Sequence, residues 1–147
     1  MELSKLLKGK VIFIDTAPLI YFIEKNSRYL DVVKTVIELI VSQKAKGMTS
    51  TITLLEVLVL PLREGNKKLA EKYKTILLSS NDLETCEISN VISERAAIIR
   101  AKYGFKTPDS LQLATAIVKK ADYFLTNDIA LKQMNEIKVI VLEEYLN

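Results

Sequence analysis

Five short apolar runs, each about the length of a strand, alternate along the chain with longer stretches of helical periodicity. That alternation restricts the fold more than any other feature. Val11-Ile12-Phe13-Ile14 is the first run, and its β-branched content reads as a buried strand. A very short second strand falls around Met48 and Thr49, a third at Leu83 to Ile88, a fourth at Tyr123 to Leu125 and a fifth at Lys138 to Leu142. Strands separated by helices pair in parallel through right-handed crossovers. The expected fold class is α/β, a three-layer α/β/α sandwich. No internal repeat, low-complexity segment or linker interrupts residues 1–147, so one domain is expected.

The helical stretches carry recognisable ends. Pro18 opens a segment reaching Glu24, because proline suits a first helical turn. Ser27 is placed to cap a helix through Lys46, with Leu30, Val33, Ile37, Ile40 and Val41 on one face and Gly47 as its stop. Ser50 or Thr51 caps the helix that bears Glu56, which Pro61 ends or kinks. Asn66 to Ser79 presents Leu69, Tyr73, Ile76 and Leu77 on one side. Ser89 or Asn90 starts a helix carrying Ile92, Ala96, Ile99 and Tyr103, and Gly104 stops it. Thr107 is the expected cap of the next helix, with Pro108 at its first position and Leu111, Ala114, Ile117 and Val118 inward. A short helix is expected over Ile129 to Met134.

Absences narrow the chemistry. The chain has no histidine, which excludes imidazole bases, His-based triads and His zinc ligands. Cys86 is the only cysteine, so no internal disulfide or cysteine zinc site forms, and a reducing compartment suits it. Four glycines leave neither a GxxxxGK[ST] nor a GxGxxG fingerprint. The longest greasy run, Ile52 to Leu62, is interrupted by Thr53 and Glu56 and is too short to span a bilayer. Asp15 breaks the N-terminal apolar stretch and no A-x-A site follows, against a signal peptide. The expectation is a cytoplasmic protein with no membrane partner. The net charge of +3 permits an anionic partner without requiring one.

Acids recur where strands give way to helices. Asp15 follows the first strand and precedes Thr16-Ala17-Pro18. In open α/β sheets the carboxyl ends of the strands are where ligands bind. Glu56 is the only charge in Ile52-Thr53-Leu54-Leu55-Glu56-Val57-Leu58-Val59-Leu60. Both faces of that helix read as covered, and a buried carboxylate must neutralise, pair or bind metal. The alternatives for Glu56 are a buried salt bridge or an exposed sliver of helix. Asp109 sits in a first helical turn, where an acid also meets the helix dipole favourably. Asp128 follows Phe124-Leu125-Thr126-Asn127 and equally suits an N-cap. Asp122 precedes its strand, so it belongs to the opposite edge as a turn residue. Thr16, Thr126 and Asn127 are candidates to orient the acids or meet substrate.

Like charges gathered at one edge take up protons unless a cation joins them. Oxygen-only donors favour Mg²⁺ or Mn²⁺ over zinc. Such an ion activates water and neutralises a departing phosphate oxygen. The chemistry that fits is metal-dependent phosphodiester hydrolysis, with Asp15, Glu56, Asp109 and Asp128 as the candidate catalytic and metal-binding set.

The stretches that carry these acids resemble the PIN-domain nucleases, most closely the small VapC-type toxins of toxin–antitoxin pairs. They are Phe13-Ile14-Asp15-Thr16-Ala17-Pro18-Leu19-Ile20-Tyr21, Thr51-Ile52-Thr53-Leu54-Leu55-Glu56-Val57, Lys106 to Ala116, and Ala121 to Asp128, in family order. The resemblance implies a five-stranded parallel sheet of order 3-2-1-4-5 and an endoribonuclease. It implies that Asp15 and Asp109 hold the metal most directly, that Glu56 binds metal or positions water, and that Asp128 completes the cluster. It also implies a homodimer, a cognate antitoxin and an RNA substrate. Ser110 stands where the family commonly has alanine. Apolar residues from Leu54 to Leu62 and in the next helix exceed what a small core consumes, and a surplus of that kind forms interfaces. Lys25, Arg28, Arg63, Lys67, Lys68 and Lys106 lie near loops or helix ends, where an RNA rim needs cations.

Other readings are a housekeeping PIN-domain RNA-processing nuclease and a non-catalytic RNA-binding PIN-like module. Aspartyl-phosphate chemistry fits less well. A D-x-D phosphatase needs an acid at position 17, which is Ala17, and a receiver domain needs an Asp after the third strand, which ends in Glu87-Ile88.

Overall fold

A computed structural model describes residues 2–146; the two end residues of the expected 1–147 unit lie outside them. Strands β1 (Val11–Ile14), β2 (Lys46–Ser50), β3 (Leu83–Cys86), β4 (Tyr123–Thr126) and β5 (Lys138–Val141) form one parallel sheet in the order β3-β2-β1-β4-β5. Helices α1 (Glu2–Leu7), α2 (Thr16–Ile23), α3 (Leu30–Val41), α4 (Thr51–Arg63), α5 (Lys67–Ser79), α6 (Asn90–Tyr103) and α7 (Thr107–Val118) flank it. A 3-10 turn, Ile129–Gln133, links β4 to β5.

Alternation along β1 divides the core in two. Ile12 and Ile14 face one way, with Leu3, Leu7, Val33, Val36, Tyr73 and Leu125. Phe13 faces the other, with Met48, Ile92, Ile99, Leu113 and Phe124. The Phe13 and Phe124 rings stack across β1 and β4 at 5.2 Å. The three-layer sandwich expected from the alternation is the observed one.

Several local expectations need correction. Asn26, not Ser27, serves the start of the α3 region, its Oδ1 accepting from the backbone N–H of Arg28 and Tyr29. Helix α3 stops at Val41, and its buried face is Val32, Val33, Val36, Leu39 and Ile40, leaving Val41 exposed. Gly47 is therefore not a helix stop. It lies in β2, where a Cβ would meet Ile40 Cδ1 at 2.7 Å. Helix α4 continues through Pro61 to Arg63, so of the two expectations for Pro61 the ending of the helix is the one set aside. Helix α7 begins one residue earlier than expected, with Lys106 at the cap position. The buried residues of α7 are Ser110 and Gln112 to Ala116, so of the expected inward set Ala114 is fully buried while Leu111, Ile117 and Val118 are half-buried. Helix α1, with Leu3 and Leu7 fully buried, has no counterpart in the sequence reading.

Strand register builds the site. Ile14 pairs with Leu125, so the next residues, Asp15 and Thr126, stand side by side. Phe13 pairs with Met48, which brings Ser50 alongside Asp15. The chain runs outward from β1 through β2 to β3, then returns to β4 on the other side of β1. The β1–β4 boundary is thus a topological switch point, the place where open α/β sheets bind ligands.

Candidate metal centre at the carboxyl edge of the sheet

Asp15 ends β1 and caps α2. Its Oδ1 accepts from the Thr16 backbone N–H at 2.9 Å, and its Oδ2 accepts from Thr126 Oγ1 at 2.8 Å. The residue is 9% exposed. Burial pushes its carboxyl up to about 6, with the negative charge of Asp109 adding to the rise; hydrogen bonds from Thr126, Thr16 and Gln112 oppose it. Asp109, in the first turn of α7, is half-buried. Its carboxyl is also raised, first by burial, then by the charges of Asp128 and Glu56, while Lys106 pulls it down. Electrostatic coupling therefore links Asp15 to Asp109, and Asp109 to both Asp128 and Glu56.

Glu56 differs from its expected setting. It is exposed, because α4 turns only Thr53, Val57 and Pro61 fully inward. A helix apolar all round had suggested burial, yet Leu55, Val59, Leu60 and Leu62 are exposed as well. Glu56 still faces the site: its Oε1 accepts from Thr16 Oγ1 at 2.6 Å. Asp128 is exposed and caps the 3-10 turn, its Oδ1 accepting from Ala130 N–H at 3.0 Å. Thr126 accepts from the Asp128 N–H at 3.1 Å, so one hydroxyl serves two acidic residues. Asn127 turns elsewhere, donating to Tyr21 Oη at 3.3 Å and accepting from the Glu143 N–H at 3.1 Å. Asp122 lies at the opposite edge, as expected, where its Oδ2 accepts from the Val11 N–H.

The sequence reading missed a polar layer beneath the acids. Gln112 is 1% exposed on α7, and Thr49, Ser50 and Thr53 are fully buried. Gln112 Nε2 donates to Thr53 Oγ1 at 2.7 Å and reaches Asp15 Oδ1 at 3.3 Å. Signals were present: Gln112 lies three residues beyond Asp109, and Thr53 three before Glu56, each on its acid's own helical face.

Coupled carboxylates that burial and mutual repulsion drive toward protonation suit a cation, and an all-oxygen donor set suits a hard divalent one. Among the described residues, no three His, Cys, Asp or Glu side chains stand close enough to hold an ion together. The fit is accordingly to an ion that keeps part of its water shell, as Mg²⁺ does with one or two carboxylates.

An open parallel α/β sheet with coupled acids at its switch point defines the class of protein. Residues 12–137 match the family model described as PIN domain, and the chain belongs to that family. In fold it is similar to VapBC2 of Rickettsia felis bound to a promoter DNA fragment, with TM-score 0.70, 19% identity, and coverage of 89% of this chain and 98% of that one. It is also similar to a toxin–antitoxin complex from Klebsiella pneumoniae, with TM-score 0.69, 22% identity, and coverage of 89% and 97%. A third is VapC20 of Mycobacterium tuberculosis, described as a sarcin–ricin loop cleaving toxin, with TM-score 0.67, 18% identity, and coverage of 86% and 98%. No curated protein sequence matches the chain.

Proposed function

We propose that this protein is a Mg²⁺- or Mn²⁺-dependent endoribonuclease, the toxin of a cytoplasmic toxin–antitoxin pair. One observation carries the reading: at the carboxyl edge of the sheet the Thr126 hydroxyl joins Asp15 to the Asp128 backbone and the Thr16 hydroxyl holds Glu56, with the Asp109 carboxyl raised by the neighbouring charges of Asp128 and Glu56. Asp15 and Asp109 would hold the ion, with Glu56 and Asp128 completing its surroundings. When bound, the ion supplies a water made more acidic and a positive charge beside the scissile phosphate. The chain's own groups do the rest. Thr126 and the Thr16 N–H keep Asp15 aimed, and Thr16 Oγ1 holds Glu56 over the edge, where a carboxylate can take a proton from an attacking water. Lys106, which offsets the negative charge around Asp109, would be the cation that meets an RNA phosphate. Arg28 is instead engaged by Glu143 at 2.5 Å.

Family membership supports a nuclease, and the VapBC complexes among the similar folds support an antitoxin partner. The exposed row Leu55, Val59, Leu60 and Leu62 supports a homodimer. The test is cleavage of an RNA panel by protein stripped with chelator and then given Mg²⁺ or Mn²⁺. Metal-restored cutting is expected, with Asp15→Asn and Asp109→Asn folded but inactive. Cutting that survives chelation or either substitution would overturn the reading.

A further inference from the structure

We propose that Gln112 is a positioning residue that sets the spacing between Asp15 and Glu56, and so the geometry in which the acidic edge receives a divalent cation. The proposal rests on the metal-dependent reading above. A primary amide offers two N–H donors and one carbonyl acceptor. Buried as it is, Gln112 must place all of them. Its Oε1 accepts from the Ser50 hydroxyl, and the Asp15 carboxyl oxygen on the other side sets which way the amide faces. The flipped amide would set a carbonyl oxygen against the Asp15 carboxylate. With Nε2 facing the acids, one proton goes to Thr53 Oγ1 at 2.7 Å and the other is directed at Asp15 Oδ1 at 3.3 Å, with Thr16 Oγ1 beside it at 3.4 Å.

Proton counting then runs outward from Gln112. Thr49 Oγ1 gives its hydrogen to the Ile14 carbonyl at 2.7 Å. Thr16 Oγ1 gives its hydrogen to Glu56. Thr53, already accepting from Gln112 and lying 2.9 Å from the Thr49 hydroxyl on its donor side, directs its own hydrogen to Thr16 Oγ1 at 3.1 Å. The amide thus touches Asp15 directly and Glu56 through Thr53 and Thr16. It ties α7, which carries Asp109, to the ends of β1 and β2. Removing the amide leaves Asp15 its bonds from Thr16 and Thr126, so the fold has other support while the distance between the acids loses its brace.

The test uses the full chain, metal-free, with Mn²⁺ as the probe and no RNA present. Saturable Mn²⁺ binding is measured by calorimetry for wild type, Gln112→Met, Thr53→Val and the double variant. Each single variant is expected to weaken Mn²⁺ by about tenfold or more, as losses behind a metal site do. The double variant should be little weaker than either single one, because both cut the same path. In cleavage assays the half-saturating Mn²⁺ rises while the rate at saturating metal falls much less. Wild-type Mn²⁺ affinity in Gln112→Met overturns the proposal. Should that variant fail to fold, Thr53→Val decides alone, and unchanged affinity there overturns it equally. No Mn²⁺ binding by wild type would instead defeat the metal-dependent reading, and this inference with it.

Discussion

Asp15 joins the fold to the chemistry through one carboxyl group. Its folded-state value is about 6 against an ordinary 3.8, so the folded protein favours the neutral form. The associated stability is therefore fully present below about pH 4 and is lost as pH rises through about 6. The difference corresponds to roughly 3 kcal/mol. Urea denaturation in chelator should show this loss between pH 4 and pH 7. Asp109 acts with the same sign, and Glu143, held low by its bonds from Arg28 and Tyr29, with the opposite one. Asp15→Asn isolates the Asp15 share: its stability relative to wild type should climb with pH. Parallel curves for the two proteins would show that Asp15 titrates normally. Added Mg²⁺ should stabilise wild type more at pH 7 than at pH 5, where the carboxyl still holds its proton, and should leave Asp15→Asn nearly unmoved.

Among the elements, the local signals that the chain carries in itself were readable in part: the Ser89 cap and the Gly104 stop are observed, whereas Ser27 and Thr107 do not hold the cap positions expected of them. Asn66 and Ser89 cap α5 and α6 through their side chains, and Gly104 ends α6 at φ 76, a backbone region that glycine enters freely. What depended on a neighbouring element was not readable. Glu56 looked buried because its helix is apolar on every side, but only packing decides which side meets the core. Gly47 looked like a stop because it follows a helix, whereas its role is to let α3 approach β2. Gly47→Ala should destabilise by about 1–3 kcal/mol through overpacking against Ile40. The same substitution in an Ile40→Val background should cost less, since Val lacks the Cδ1 that the new methyl meets. Chemical denaturation of the four proteins measures that coupling, and additive losses would refute the clash.

Across the whole molecule, the layer architecture followed from the alternation of strands and helices, and the sheet order from the likeness of four short stretches to a known family. The buried polar layer did not follow, because Gln112, Thr49 and Thr53 acquire meaning only when β1, β2 and α7 come together. The surplus of apolar residues on α4 was visible as composition, and the structure puts Leu55 at 60% exposure and Leu62 at 64%. Should that row be the homodimer seam, Leu55→Glu with Leu62→Glu will shift sedimentation from dimer to monomer without altering the monomer's circular dichroism; an unshifted dimer would place the seam elsewhere. Val11 and Asp122 exchange two hydrogen bonds at the rear of β1 and β4, at 2.7 and 2.8 Å, while Thr126 grips Asp15 at the front. The two strands are fastened at both extremities, like a hinge pin locked by a nut at each end. Loosening the rear nut would let the front jaws drift, so damage to the inert edge would be felt as a blunted cutting edge.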